Sequence, residues 1–140
     1  MILFCDTSAL VKLYVEEDGS DAVAALAHAS ACLAVCRITW VEAIAAFSRR
    51  TREQPAAAAT LALARQRLRE DWPHYLCIDI TQALAEQAGD CADAFSLRAY
   101  DSVQLAALRL LHREQPGEVR FACFDDRLNA AARVLGIATG

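Results

Sequence analysis

The chain opens with Ile2-Leu3-Phe4-Cys5-Asp6-Thr7-Ser8, in which four apolar residues are followed by an acid and two hydroxyl residues. A short, unbroken apolar run is typical of a strand that is covered on both faces, as in a parallel sheet. The segment Ser8–Val15 follows with helical periodicity. The opening therefore predicts a strand-to-helix unit with Asp6 at its junction.

Three more apolar runs predict strands, at Cys32–Cys36, Tyr75–Ile78 and Arg120–Phe124. Segments with helical periodicity separate and follow them: Ser20–Ala29, Thr39–Arg52, Ala56–Asp71, Thr81–Cys91, Tyr100–Arg113 and Arg127–Leu135. Strands that alternate with helices indicate an α/β fold with a parallel sheet. No internal repeat or linker divides the chain, so we expect a single domain over residues 1–140.

The composition and the cysteine pattern indicate where in the cell the protein is expected. The sequence is 56% hydrophobic, yet no apolar run approaches the roughly 18 residues that would cross a bilayer. No basic region precedes the first apolar residues, so we expect no signal peptide, no membrane association and a cytoplasmic location. The six cysteines lack CxxC spacing. We therefore expect reduced thiols, most of them in the core, rather than disulfides or a zinc site.

Acids follow two of the predicted strands directly. Asp6 follows the first strand, and Asp125 follows the fourth in Cys123-Phe124-Asp125-Asp126. The carboxyl ends of parallel strands share one edge of the sheet, where ligands bind in open α/β folds. Aspartate is also a good helix N-cap, and capping does not exclude metal binding. Both roles stay open for these two residues.

Asp101 is harder to explain as a surface residue. It precedes Leu105 and Leu108 by four and seven residues, which places it in line with the apolar side of its helix. The polar stripe of that helix is predicted to include Ser102 and Arg109. A buried carboxylate must be paired, protonated or bound to a cation, unless the helix N-terminus satisfies it. Function is the favoured explanation.

Glu42 has a structural explanation of its own. Thr39-Trp40-Val41-Glu42 has the pattern of a capping box, with threonine at the N-cap and glutamate three residues later. That motif also places the carboxylate near the end of the second predicted strand, at the edge where Asp6 and Asp125 are expected.

These four carboxylates would repel one another unless they share a cation. Carboxylate oxygens suit Mg²⁺ or Mn²⁺, and the chain has no cluster of histidines or cysteines for zinc. Such a site binds phosphate oxygens well and matches the chemistry of two-metal phosphodiester hydrolysis. The residues therefore predict a metal-dependent phosphodiesterase.

Four segments resemble a known family: Asp6-Thr7-Ser8-Ala9-Leu10-Val11-Lys12, the isolated Glu42, Ala99-Tyr100-Asp101-Ser102-Val103-Gln104-Leu105, and Phe124-Asp125-Asp126-Arg127-Leu128-Asn129. The chain is similar in these segments to PIN-domain proteins, and within them to the VapC-type toxins of bacterial toxin–antitoxin pairs. The resemblance runs in order along the whole chain. It is most specific at the opening and around Asp101.

The resemblance implies a Rossmann-like PIN fold with a parallel sheet of four to five strands flanked by helices. It implies Mg²⁺- or Mn²⁺-dependent endonucleolytic cleavage of RNA by a homodimer that a cognate antitoxin neutralises. The catalytic and metal-binding acids carried over from it are Asp6, Glu42, Asp101 and Asp125. Thr7 or Ser8 would supply a supporting hydroxyl.

The chain departs from the family pattern before its last acid. Cys123-Phe124 stand where a threonine or serine is common, so the hydrogen bonding of Asp125 is open. Asp126 is a second candidate for the fourth acid, although Asp125 has the better register with Arg127.

The charge of the chain is ambiguous. The formal net charge of −4 argues by itself against a nucleic-acid partner. Thirteen of the 14 basic residues are nevertheless arginine, and Arg49, Arg50 and Arg52 could neutralise RNA phosphates. A solvated helix face explains them equally well.

Two rival functions are considered. A phosphoaspartate phosphatase or receiver domain would carry a lysine after a later strand, and the only lysine here is Lys12. A non-catalytic PIN-like module that binds a partner would be expected to lose acids, yet all four positions are filled. The second rival stays open.

Overall fold

The computed structural model describes all 140 residues. It contains five strands, β1 (Ile2–Cys5), β2 (Cys32–Cys36), β3 (Leu76–Ile78), β4 (Val119–Ala122) and β5 (Ala138–Thr139). They form one parallel sheet in the order β3-β2-β1-β4-β5. The predicted α/β class with a parallel sheet is confirmed.

Seven α-helices connect the strands or follow them: α1 (Thr7–Lys12), α2 (Ser20–His28), α3 (Ile38–Glu53), α4 (Ala58–Asp71), α5 (Gln82–Phe95), α6 (Ala99–Glu114) and α7 (Asp126–Val134). Short 3₁₀ turns cover Pro55–Ala57 and Trp72–His74. No helix is both long and apolar enough to traverse a bilayer. All six cysteines are free thiols, and four of them are buried.

Two hydrophobic clusters cover the two faces of the sheet. One contains Phe4 and Phe121 together with buried residues of α5, α6 and α7. The other contains Leu3 and Phe47 and joins the sheet to α1, α2, α3 and α4. Alternate residues of β1 therefore point into different clusters, as expected for a strand buried on both faces.

The chain changes direction at the sheet centre. β1 is paired with both β2 and β4. After β1 the chain enters α1 on one face, whereas after β4 it enters α7 on the other face. This divergence opens a crevice at the carboxyl ends of β1 and β4, which is where α/β folds bind ligands.

Two strands differ from the sequence-based expectation in their bounds, and a fifth strand is added. β4 begins at Val119, one residue earlier than predicted. β4 ends at Ala122 rather than Phe124, because the N–H of Phe124 donates to the hydroxyl of Ser8 instead of a neighbouring strand. β3 begins one residue late because the N–H of Tyr75 closes the preceding 3₁₀ turn on Trp72. β5 was not predicted from the residue pattern, since two residues carry no periodicity.

Replacing Leu108 tests how much the packing of the core against the sheet contributes to stability. Leu108 is fully buried on α6, so Leu108→Ala should lower the free energy of unfolding by about 2–5 kcal/mol. Leu63, which is 60% exposed on α4, gives a matched control whose truncation should change stability by less than about 0.5 kcal/mol. Urea denaturation followed by circular dichroism measures both, and equal effects would contradict the packing described.

Candidate active site

Asp6 lies between β1 and α1 and is only 5% exposed. Its Oδ1 accepts hydrogen bonds from the N–H of Ala9 (3.0 Å) and the hydroxyl of Ser8 (2.7 Å). Asp6 is therefore the N-cap of α1. Burial raises the pKa of Asp6, and the charge of Glu42 adds to the rise, whereas the hydrogen bonds to the carboxylate oppose it.

The thiol of Cys123 links the loops that carry two of the acids. It donates to Oδ2 of Asp6 at 3.1 Å and accepts from the N–H of Asp125 at 3.2 Å. Burial first, and then the charge of Asp6, raise the pKa of Cys123, so the thiol stays protonated at neutral pH. The cysteine thus provides the local hydrogen bonding that the departure from the family pattern had left open.

Glu42 is held by a buried amide. Its Oε1 accepts from the hydroxyl of Thr7 at 2.8 Å and from Nε2 of Gln104 at 3.0 Å. Gln104 is 2% exposed, and its Nε2 also donates to Oγ1 of Thr39 at 2.7 Å. The side-chain carbonyl oxygen of Gln104, Oε1, has no hydrogen-bond partner. One side chain of α6 thereby ties α1 and α3 together.

The predicted capping box is wrong. α3 begins at Ile38, with Arg37 at the N-cap and no side-chain cap, so Thr39 lies inside the helix. The hydroxyl of Thr39 accepts from Gln104 instead of capping the helix. Glu42 is bound to neighbouring helices, and its carboxylate faces the crevice residues Thr7 and Gln104 rather than its own helix N-terminus.

Asp101 and Asp125 line one small cleft together with Arg98 and Arg127. Oδ1 of Asp125 accepts from the N–H of Leu128 at 2.9 Å, so this acid caps α7. Burial raises the pKa of Asp101, and the charge of Asp125 adds to the rise, while the two arginines oppose it. Nε of Arg98 lies 3.9 Å from Oδ2 of Asp101.

The structure confirms only part of the environment predicted for Asp101. Leu105 and Leu108 are fully buried, whereas the side chain of Asp101 is 30% exposed at the border of the apolar face. Ser102 is 2% exposed and does not lie on a polar stripe. Its hydroxyl donates to the carbonyl of Arg98 at 2.9 Å, which satisfies it without solvent.

The four acids occupy the crevice as two pairs, Asp6 with Glu42 and Asp101 with Asp125. No group of three histidine, cysteine, aspartate or glutamate side chains is placed to hold one metal ion. The binding of one common cation by all four acids stays a prediction. Asp6, Glu42 and Asp125 are each held by hydrogen-bond donors of their own. Asp126 is exposed in the first turn of α7.

The donor chemistry nevertheless fits Mg²⁺ or Mn²⁺. The pairs offer carboxylate oxygens with hydroxyls beside them, which are the ligands that hard cations prefer. Burial raises the pKa values of Asp6 and Asp101, and the charge of a neighbouring carboxylate adds to each rise. A divalent cation would offset this negative charge.

Basic residues lie beside the acids on one side. A cavity of about 270 Å³ extends from Thr7 and Ser8 and is lined by Lys12, Arg49 and Arg50. Arg52, the third arginine predicted to bind RNA, does not line this cavity and donates to the hydroxyl of Ser48 at 3.0 Å. The structure thus separates two of the three predicted arginines from the third.

Sequence reasoning assigned no role to Gln104, Arg98 or Arg127. A signal for Gln104 was present, because it lies three residues after Asp101 and next to Leu105, on the apolar side of α6. A polar residue in such a position needs a buried partner. The two arginines carry no comparable signal, since the proximity of Asp101 to Asp125 arises only in the fold.

The fold and the order of the acids define a class of protein. A model of the PIN domain matches residues 3–134, and the chain belongs to the PIN-domain family. The resemblance stated from the sequence is thereby confirmed.

Two relatives are similar over nearly their full length. Ribonuclease VapC45 from Mycobacterium tuberculosis (strain CDC 1551 / Oshkosh) and Ribonuclease VapC49 from the same species (strain ATCC 25618 / H37Rv) are each 30% identical over 135 residues. The alignments cover 96% of this chain and 92% of each relative.

Solved structures share the fold. A toxin–antitoxin complex from Klebsiella pneumoniae has a TM-score of 0.64 at 21% identity, covering 89% of this chain and 87% of that one. VapBC2 from Rickettsia felis, bound to a DNA fragment from its promoter, has a TM-score of 0.65 at 12% identity, covering 100% and 98%. FitAcB from Neisseria gonorrhoeae has a TM-score of 0.60 at 16% identity, covering 99% and 96%.

The buried charge of Asp6 predicts a stability effect. Because its pKa is raised on folding, the folded state loses stability as pH rises above the unfolded-state pKa of about 3.9 and Asp6 ionises. Asp6→Asn keeps the helix cap and removes this cost, so its Tm at pH 7 should exceed that of the wild type by about 2–5 °C. The difference should shrink toward pH 4.

Thermal melts in EDTA at pH 4 and pH 7 measure this effect. Asp126→Asn is the matched control, because Asp126 is exposed and its replacement should give no stabilisation. A Tm for Asp6→Asn at or below that of the wild type at pH 7 would show that the buried carboxylate is not a cost to folding.

Proposed function

We propose that this chain is a Mg²⁺- or Mn²⁺-dependent endoribonuclease that acts as the toxin of a toxin–antitoxin pair. The observation that carries the proposal is the presence of two carboxylate pairs at the β1–β4 crevice of a PIN-family chain. Asp6 with Glu42 and Asp101 with Asp125 would hold the metal. Support comes also from the two relatives named as ribonucleases, which align with 96% of the chain.

When bound by these acids, Mg²⁺ or Mn²⁺ supplies a water of lowered pKa and Lewis acidity toward the scissile phosphate. The surrounding residues orient the carboxylates. Thr7 and Gln104 fix Oε1 of Glu42, and Ser8 with Cys123 fixes the two oxygens of Asp6. Holding ligands in place before the substrate arrives reduces the reorganisation that the reaction requires.

In this proposal the attacking nucleophile is a water molecule rather than a side chain of the protein. The hydroxyl of Ser8 donates to Asp6, and the raised pKa of Cys123 keeps that thiol protonated. A thiolate is the reactive form of cysteine. Attack by water is therefore the route that the side chains support.

Cleavage of labelled RNA tests the proposal. The wild type should cleave with Mg²⁺ or Mn²⁺ and stop in EDTA. Asp6→Asn, Glu42→Gln, Asp101→Asn and Asp125→Asn should each reduce the rate about a hundredfold or more, because each removes a charged metal ligand. Gel analysis of time courses measures the rates.

Asp126→Asn is the matched control for Asp125→Asn, because the two acids are adjacent but only Asp125 faces Asp101 in the cleft. The control should cleave like the wild type. Cleavage in EDTA, or full activity of Asp6→Asn, would contradict the metal-dependent mechanism.

Gln104 should act as a positioning residue for Glu42. Gln104→Ala should lower the cleavage rate about 10- to 100-fold and raise the Mn²⁺ concentration needed for half-maximal activity, since the carboxylate loses its amide donor. Gln66→Ala, on the surface of α4, should leave both unchanged. A lower rate with an unaltered Mn²⁺ requirement would indicate only a structural role.

The cognate antitoxin, the homodimer and the cytoplasmic location are proposed on the resemblance to VapC-type toxins. The similar structures include a toxin–antitoxin complex, which supports the proposal of an antitoxin. A gene for a small DNA-binding protein beside this one, and light scattering at twice the mass of 15.2 kDa, would support these assignments.

A non-catalytic PIN-like binding module is the second candidate. It is favoured by the separate hydrogen-bond donors of the acids and by the finding that no three of them are placed to hold one ion. Metal-independent RNA binding without cleavage by the wild type would support it. The cleavage assay therefore separates the two candidates.

A further inference from the structure

Phe124 is an exposed aromatic residue beside the acids. It lies between β4 and Asp125, and 46% of it is accessible to solvent. Its N–H donates to the hydroxyl of Ser8 at 3.0 Å, and that hydroxyl donates to Asp6 at 2.7 Å. The backbone of Phe124 is thus fixed by the same side chain that holds a carboxylate of the site.

The ring of Phe124 is held in position by close neighbours. Nζ of Lys12 lies 4.5 Å from the ring centroid, a cation–π contact. Gly19, whose φ is +91°, lies so close to the ring that a Cβ at this position would come within 2.6 Å of it. Lys12 is itself fixed by Glu17 at 3.1 Å and by the carbonyl of Asp18 at 2.7 Å. The ring is exposed but anchored.

The cavity next to this ring carries a positive charge that is not fully compensated. Phe124, Lys12, Arg49 and Arg50 all line its volume of about 270 Å³. Arg50 and Lys12 share the carboxylate of Glu17. Arg49 is 65% exposed and comes only within 4.0 Å of Glu53, which also lies on α3. Its guanidinium is therefore available to an anion.

We infer that Phe124 is a stacking platform for one unpaired base of the RNA, and that Arg49 neutralises a neighbouring phosphate. The inference rests on the proposed nuclease function, whose acids adjoin the ring. Aromatic rings beside basic residues bind single strands in this way, because every base has a face that can stack. The apolar ring would otherwise be exposed at a strongly polar edge.

Stacking on Phe124 defines a class of substrate. In a duplex each base is already stacked on its neighbours, and removing one from the helix costs free energy. The site should therefore prefer single strands and loops to paired A-form RNA, whose bases are inaccessible from the deep groove.

An abasic scan of bound RNA tests the inference. The probe is a fluorescent single-stranded RNA of about ten nucleotides, in which each position in turn lacks its base. Binding is measured by anisotropy in an Asp101→Asn background. Phe124→Leu should weaken binding about 10- to 100-fold, whereas Phe124→Tyr, which keeps a ring, should retain the affinity.

The abasic scan also identifies the base that stacks. One abasic position should weaken binding to the Asp101→Asn protein and have no further effect on the Phe124→Leu version, because the two changes remove the same contact. Equal affinity of the leucine and phenylalanine forms, or equal losses in the leucine and tyrosine forms, would overturn the inference. Thermal melts confirm that the variants are folded.

The failure of this inference is distinguishable from failure of the proposed function. If the wild type cleaves RNA with Mn²⁺ while Phe124→Leu binds normally, only the stacking platform is rejected. If the wild type does not cleave but the abasic cycle shows coupling to Phe124, the nuclease proposal is rejected and the platform is supported.

Arg49 is tested separately through the salt dependence of binding. Arg49→Gln should reduce the slope of log affinity against log salt by about 1. Arg52→Gln is the matched control, since Arg52 lies on the same helix but outside the cavity. Equal slopes for the two variants would remove Arg49 from the inference.

Discussion

The parallel pairing of β1 with β4 is the constraint on which the site depends. These strands lie at the sheet centre, yet the helices that follow them pack on opposite faces. The crevice between the two helix starts brings Asp6 within hydrogen-bond reach of Cys123, 117 residues away in sequence. Without this pairing, Asp6 and Asp125 would be unrelated helix caps.

The burial of carboxylates close to one another accounts for the local arrangement of hydrogen-bond donors and cations. Carboxylates at one sheet edge disfavour one another's charge, and donors that the chain supplies offset this repulsion only in part. Gln104 donates a hydrogen bond to Glu42, and Cys123 donates one to Asp6. Two arginines flank Asp101 and Asp125. Burial raises the pKa values of Asp6 and Asp101, and the neighbouring carboxylates Glu42 and Asp125 add to the rise. A site with several partly buried carboxylates is suited to binding cations, and packing alone would not favour such a cluster.

The sequence predicted best what local patterns determine. The bounds of β1 and β2, the α/β class and the placement of Asp6 and Asp125 at helix starts follow from short apolar runs and capping preferences. Glu42 was placed near the right edge for the wrong reason, because the capping pattern was overridden by the amide of Gln104. Ser102 was misplaced because its hydroxyl bonds within the helix. Contacts between distant segments leave no local pattern.

The close approach of Gly19 to Phe124 links two parts of the chain that are far apart in sequence. Any side chain at position 19 would have to displace the ring of Phe124. Related proteins with a larger residue at the position of Gly19 should therefore carry a smaller residue at the position of Phe124. The two positions should covary during evolution, although neither belongs to the acidic quartet.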